Sequence, residues 1–234
     1  MPKVFQYLFL FVSAIEIVAE ISGNNLLRFI FKPLLMPALI MFYVSAIGGL
    51  WNRFHKQITA AFFFSWIGDV ALMFVFKNEN FFLVGLVGFL IAHILYAVSF
   101  SKVQDTEALP LLSEKRWVLI PLVIYMVVFL YLLVPAVNGS EKTQPFLIPV
   151  LIYSAAIAIM VAFSINRYKR VSDKSFMLVV SGALLFMFSD SIIAINKFLH
   201  PFPSAGIFIM VLYIAGQYLI AKGCLAQFNS KADS

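Results

Sequence analysis

Residues 117–135 read WVLIPLVIYMVVFLYLLVP, nineteen positions without a charged side chain. As a helix rising 1.5 Å per residue, such a run spans about 28 Å, close to the ~30 Å of hydrocarbon in a bilayer. Runs of similar length and character recur along the chain, at roughly 4–21, 33–50, 57–76, 80–100, 145–165, 176–196 and 204–224. Backbone N–H and C=O groups find no partner in lipid, so each run must cross as a helix. A barrel would need alternating segments of about ten residues, and none occurs. The expected fold class is all-α: a polytopic membrane bundle of eight transmembrane helices. It forms a single transmembrane domain over 1–234, with short loops apart from 101–116.

Composition points the same way. Of the 234 residues, 62% are hydrophobic and 12% charged, which leaves no soluble domain to be built. The net charge of +6 comes from basic residues in short loops, where they set topology and meet anionic headgroups. The partners expected are therefore membrane lipids and no nucleic acid. The single cysteine, Cys224, leaves no internal disulfide and no cysteine metal site. The first run follows one lysine, lacks a small-residue cleavage pattern and holds two glutamates. It reads as a retained span rather than a signal peptide.

Orientation follows from the basic residues. With the N-terminus inside, Lys3, Arg53, Lys56, Lys102, Lys115, Arg116, Arg167, Lys169, Arg170, Lys174, Lys222 and Lys231 fall on the cytoplasmic side. Arg28, Lys32, Lys77, Lys142 and Lys197 fall outside. Twelve against five places both termini in the cytoplasm. An odd number of spans would break that alternation.

Four carboxylates lie inside the oil. Glu16 and Glu20 are in the first run, Asp69 in the third and Asp190 in the seventh, whereas Glu79, Asp105, Glu107, Glu114, Glu141, Asp173 and Asp233 fall in loops or the tail. An ionisable group at bilayer depth costs several kcal/mol unless it faces a polar interior, so it reads as functional by default. The first, third and seventh spans all run outward. Glu16, Asp69 and Asp190 then sit about 8–10 Å below the outer boundary. Lys32, at the outer start of the second span, reaches that layer by snorkelling. Glu16 reads either as a structural acid sharing a face with Glu20 one turn on, or as a member of the layer paired with Lys32. Toward the inner half only His93, Tyr96 and Gln217 offer polar groups.

The two halves of the chain resemble each other. Lys32-Pro33-Leu34-Leu35-Met36-Pro37 opens the second span, and Gln144-Pro145-Phe146-Leu147-Ile148-Pro149 opens the sixth. The first proline of each pair suits a helix start, where the missing N–H has no partner to lose; the second removes a hydrogen bond and tilts the entry. The third and seventh spans each carry a small residue before an aspartate, Gly68-Asp69 and Ser189-Asp190. Four spans per half keep one orientation, which implies a 4+4 parallel repeat.

The segments KPLLMP (32–37), SWIGDVALMF (65–74), GLVGFLIAHILYAVSF (85–100), SGALLFMFSDSIIAI (181–195) and YIAGQYLIA (213–221), in that order, resemble the YhhN/TMEM86 family of multi-pass membrane proteins. The likeness extends over nearly the whole chain. Family members include lysoplasmalogenases. The resemblance therefore implies hydrolysis of the vinyl ether bond of a lysoplasmalogen, releasing a fatty aldehyde and glycerophospho-ethanolamine or -choline. The family's two intramembrane aspartates correspond to Asp69 and Asp190, and its Lys-Pro motif to Lys32 and Pro33. The substrate implied is a lysophospholipid with water, no cofactor is implied, and the expected location is the cell membrane.

The residues suit that chemistry. A vinyl ether is cleaved by acid: carbon is protonated, an oxocarbenium ion forms, water adds, and the hemiacetal collapses. Two carboxyls in unequal surroundings supply the acid and the base, as in glycoside hydrolysis. Asp69 and Asp190 are the expected catalytic pair, facing each other across the bundle. The competing reading is a structural polar contact between helices, with Ser65 or Ser189 as partner. Lys32 reads either as a snorkelling anchor or as a ligand for the substrate phosphate. His93 with Tyr96, and Tyr213 with Gln217 one turn later, read either as substrate-contacting or as hydrogen-bonded within the bundle. A lone intramembrane histidine without cysteine nearby gives no zinc site. No phosphate loop, G-x-S-x-G elbow or dinucleotide fingerprint occurs. Two other classes stand against the hydrolase: a proton-coupled transporter, and a non-catalytic lipid-binding membrane protein.

Overall fold

A computed structural model describes residues 2–102 and 109–229. Asp105, Glu107, Lys231 and Asp233 lie outside the described residues. Among those described, eight long helices carry the chain: α1 (Pro2–Ser22), α2 (Asn25–Ile47), α3 (Arg53–Leu72), α4 (Asn80–Ser101), α5 (Ile120–Asn138), α6 (Leu147–Ile165), α7 (Asp173–Ala194) and α8 (Ala205–Asn229). Strands are absent from the described residues. Seven of the eight are long and apolar enough to cross a membrane, the stretch opening α5 being counted from Arg116. The eighth, α3, is the least apolar because it carries Arg53, His55, Lys56, Gln57 and Asp69. This is a multi-pass membrane protein.

The chain divides into two compact units, 1–99 and 100–234. The first holds α1–α3 and α4 as far as Ser99, and the second the end of α4 with α5–α8.

In the first unit α1 packs on α2, and α2 on α3. The start of α2 differs from the sequence expectation by eight residues. Asn24 caps it, its side chain accepting from the Leu27 N–H at 3.2 Å. Pro33 and Pro37 therefore lie inside the helix rather than at its first turn. An interior proline leaves the carbonyl four residues earlier without its helical donor. For Pro37 that carbonyl belongs to Pro33, and the indole Nε1–H of Trp66 on α3 donates to it at 2.9 Å. His55, Ser65 and Asp69 of α3 face inward with Phe54, Ile58, Ala61, Phe62, Gly68 and Ala71, a buried stripe at helical spacing, whereas Arg53 and Lys56 are exposed. Asn52 caps α3, accepting from the His55 N–H at 2.9 Å, and the helix ends at Leu72, so Asp69 stands three residues from that end rather than seven.

In the second unit α5 contacts α6, α6 contacts α7, and α7 with α8 makes the most extensive pair. Here Pro145 lies in a 3-10 turn, Gln144–Phe146, and Pro149 in the first turn of α6, where a missing N–H has no helical partner to lose, so the expected loss of a hydrogen bond at the second proline does not occur. The α7–α8 crossing is made by small residues. A Cβ on Gly182 would lie 2.7 Å from the Gly216 carbonyl oxygen, and one on Gly216 would lie 2.9 Å from that of Gly182. The first unit repeats the device: a Cβ on Gly88 of α4 would lie 2.9 Å from the Gly68 nitrogen of α3. Between helices in lipid, such backbone approach supplies the contact that hydrophobicity cannot. By contrast α5 is nearly bare, with 6% of its most apolar stretch buried against 50% for α8. Past Ala194, α7 runs into a π turn at Ile195–Leu199.

Two outcomes follow. Trp66→Phe is expected to cost about 1–2 kcal/mol of unfolding free energy in detergent, and less when Pro37→Ala restores the backbone donor; a double-mutant cycle reads the coupling. Gly216→Val is expected to cost about 1–3 kcal/mol by forcing α7 and α8 apart, which thermal unfolding measures.

Candidate functional site

Each unit buries one aspartate on its third helix. In the first unit, Asp69 is 3% exposed, and Glu16 on α1 is wholly buried. Neither carboxyl oxygen of Glu16 has a hydrogen-bond partner among the described residues. Lys32, Glu20, Arg28 and Asp69 are the charges near enough to act on Glu16. The expected Glu16–Lys32 ion pair is not formed. The pair that does form is Arg28 Nη2 to Glu20 Oε1 at 2.9 Å, which ties the end of α1 to the start of α2. Its cause is the early start of α2: the extra helical turns carry Arg28 back over Glu20.

A cavity of about 460 Å³ lies between the start of α2 and the end of α3. It is lined by Asn25, Arg28, Phe29, Lys32, Leu72, Met73 and Phe76. Lys32 is half-buried and reaches this wall from within α2, not from a helix start. Farther along the same unit His93 and Tyr96 are both fully buried on α4. The Tyr96 ring meets Phe62 edge-on, centroids 6.0 Å apart.

In the second unit Asp190 is 7% exposed. The phenol O–H of Tyr153, on α6, donates to Asp190 Oδ2 at 2.5 Å. The serines on either side are committed elsewhere. Ser189 donates to the Ile209 carbonyl at 3.0 Å, which joins α7 to α8. Ser191 donates to the Met187 carbonyl at 2.8 Å and accepts from Tyr125 at 2.7 Å. Ser189 is thus a helix-joining contact and not the partner of Asp190. Tyr213 (3% exposed) packs edge-on to Phe186, ring centroids 5.4 Å apart, and Gln217 is buried one turn on.

Sequence reading missed Tyr153, Tyr125 and Arg28. A tyrosine inside an apolar span was the available signal, since its O–H must find a partner within the protein. What a single sequence withholds is which helix presents that partner. Also unforeseen is Arg167, fully buried, donating to Ser175 and to Gln227, both at 2.9 Å, with its guanidinium 5.4 Å from the Phe100 ring centroid. Among the described residues no three His, Cys, Asp or Glu side chains cluster as metal ligands would.

Comparison with known proteins places these residues in a lineage. The lysoplasmalogenase TMEM86A of Bos taurus is 31% identical over 173 residues, covering 71% of this chain and 65% of that protein. Its namesake from Homo sapiens is 29% identical over 174 residues, with the same coverage. The match therefore spans slightly under two thirds of these relatives' length. No solved structure matches the chain. Residues 27–224, which include Lys32, Asp69, Asp190 and both glycine crossings, match the YhhN family, and the chain belongs to that family.

Proposed function

We propose that this protein is an intramembrane hydrolase that cleaves the vinyl ether bond of a lysoplasmalogen, with Asp69 and Asp190 as its acid and base. The observation that carries the reading is a buried carboxyl on the third helix of each four-helix unit, Asp190 with a phenol donating to it. Relatives named lysoplasmalogenase support the choice of reaction.

The chemistry runs as follows. One aspartic acid gives its proton to the outer carbon of the C=C–O unit, and the ether oxygen stabilises the resulting oxocarbenium ion. The other, as carboxylate, takes a proton from water while the water oxygen bonds to the cationic carbon. The hemiacetal then collapses: its O–H proton passes to the first aspartate as the C=O forms, and the second aspartate gives the proton it took from water to the departing glycerol oxygen, releasing the alcohol. The proton spent in the first step is regained in the last, so the pair is restored. Tyr153 holds Asp190 in one rotamer and one orientation. It is a positioning residue rather than a member of the acid–base pair. Lys32 is the candidate ligand for the substrate phosphate, with Glu16, His93, Tyr96, Tyr213 and Gln217 as further substrate-contacting candidates. The protein would work in the cell membrane with both termini in the cytoplasm.

Purified protein given lysoplasmalogen is expected to release fatty aldehyde, and not to act on the matching alkyl ether, which lacks the double bond. Proton-coupled flux into proteoliposomes without aldehyde would instead identify a carrier. Asp69→Asn and Asp190→Asn are each expected to lower kcat at least about a hundredfold while the unfolding temperature stays near wild type. An active Asn variant removes that residue from the mechanism. Tyr153→Phe is expected to lower kcat about tenfold with little change in KM and a shifted pH profile, since it deletes one hydrogen bond to a carboxylate.

A further inference from the structure

We infer that the cavity between the start of α2 and the end of α3 is a receptor for the phosphate group of a single-chain amphiphile, gripped by Arg28 and Lys32 together. The inference adds Arg28 and a defined chamber to the hydrolase reading, and rests on that reading only for the identity of the amphiphile.

Arg28 and Lys32 are four residues apart on α2, so their side chains share one face, and both line the cavity. A chamber of about 460 Å³ is of ordinary size for a small-molecule site. Its lining residues include no acid: Glu20 is engaged by Arg28, and Glu16 is sealed from solvent. Lys32 makes no ion pair or hydrogen bond among the described residues, although it is half-buried at the edge of an apolar helix. A cation held there without a contact partner is suited to an incoming anion. The guanidinium offers a planar fork and the ammonium a point charge, and phosphate oxygens suit both.

The other wall is Phe29, Leu72, Met73 and Phe76, which is apolar. Phe76 is 71% exposed and Phe29 41%. A free phosphate would leave that wall unused, whereas a lipid headgroup with its first methylenes covers both walls. Arg28 bonds Glu20 through Nη2 alone, and its remaining N–H donors can hold a phosphate oxygen while that pair stays intact.

The test is equilibrium binding of a non-hydrolysable alkyl-ether lysophosphatidylethanolamine to the full chain in detergent. The neutral monoalkylglycerol of equal chain length and inorganic phosphate are measured alongside. Wild type is expected to bind the phospholipid at least about tenfold more tightly than the glycerol, and inorganic phosphate is expected to compete only at high concentration. Lys32→Met and Arg28→Met should each erase about tenfold of that preference, Lys32→Arg and Arg28→Lys should keep most of it, and the exposed-site control Lys142→Met should leave it unchanged. Unfolding temperatures establish that each variant is folded. A phospholipid preference that survives both Met substitutions overturns the assignment, as does inorganic phosphate binding as tightly as the lipid. Because the probe lacks the vinyl ether, these outcomes stand whether or not aldehyde is ever released from a lysoplasmalogen. Loss of turnover with intact binding would strike the hydrolase reading alone.

Discussion

Hydrocarbon accepts no hydrogen bonds, and that constraint organises the polar contacts that join one helix of this protein to the next. A proline in the middle of α2 would strand the Pro33 carbonyl, and an indole from α3 satisfies it. The Ser189 hydroxyl on α7 closes on a backbone carbonyl of α8. A buried aspartate receives a phenol from the helix next in contact. In each case a polar atom on one helix obliges a second helix to come to it. The polar atoms act as fasteners between helices whose outer surfaces lipid would solvate equally well apart.

Small residues are the other half of this scheme. Gly182 and Gly216 let α7 and α8 approach to backbone contact, and Gly68 and Gly88 do so for α3 and α4. In both units the residue immediately before the buried aspartate takes part in joining the third helix to the fourth: Gly68 through its bare backbone, Ser189 through its hydroxyl. The aspartate is thereby fixed in depth and azimuth by its own neighbour. A site built on rigid, closely crossed helices holds its geometry better than one built on loops.

Much of this was legible in the chain itself, for a physical reason. A span must be about twenty residues of oil, so length and composition alone mark α1, α4 and α8 to within a few residues. The buried aspartates were legible because charge inside oil is costly and therefore rare. The start of α2 was not. Prolines 33 and 37 imitate a helix beginning, and only the Asn24 cap and the distant indole of Trp66 explain how the helix runs through them. Nor could the sequence reveal that Arg28 rather than Lys32 would take a carboxylate, because about two turns of extra helix decide it. Pairings between helices, such as Tyr153 with Asp190, are properties of the fold and leave no spacing to read.

The bare flank of α5 has a consequence of its own. A helix with 6% of its apolar stretch buried owes its position to the bilayer far more than to neighbouring side chains. Its tilt is then governed by how well its length matches the surrounding acyl chains, at fractions of a kcal/mol per ångström of mismatch. Membrane thickness thereby becomes an input to the second unit, one that acts on α5 and, through Tyr125 and Ser191, on the turn of α7 beside Asp190.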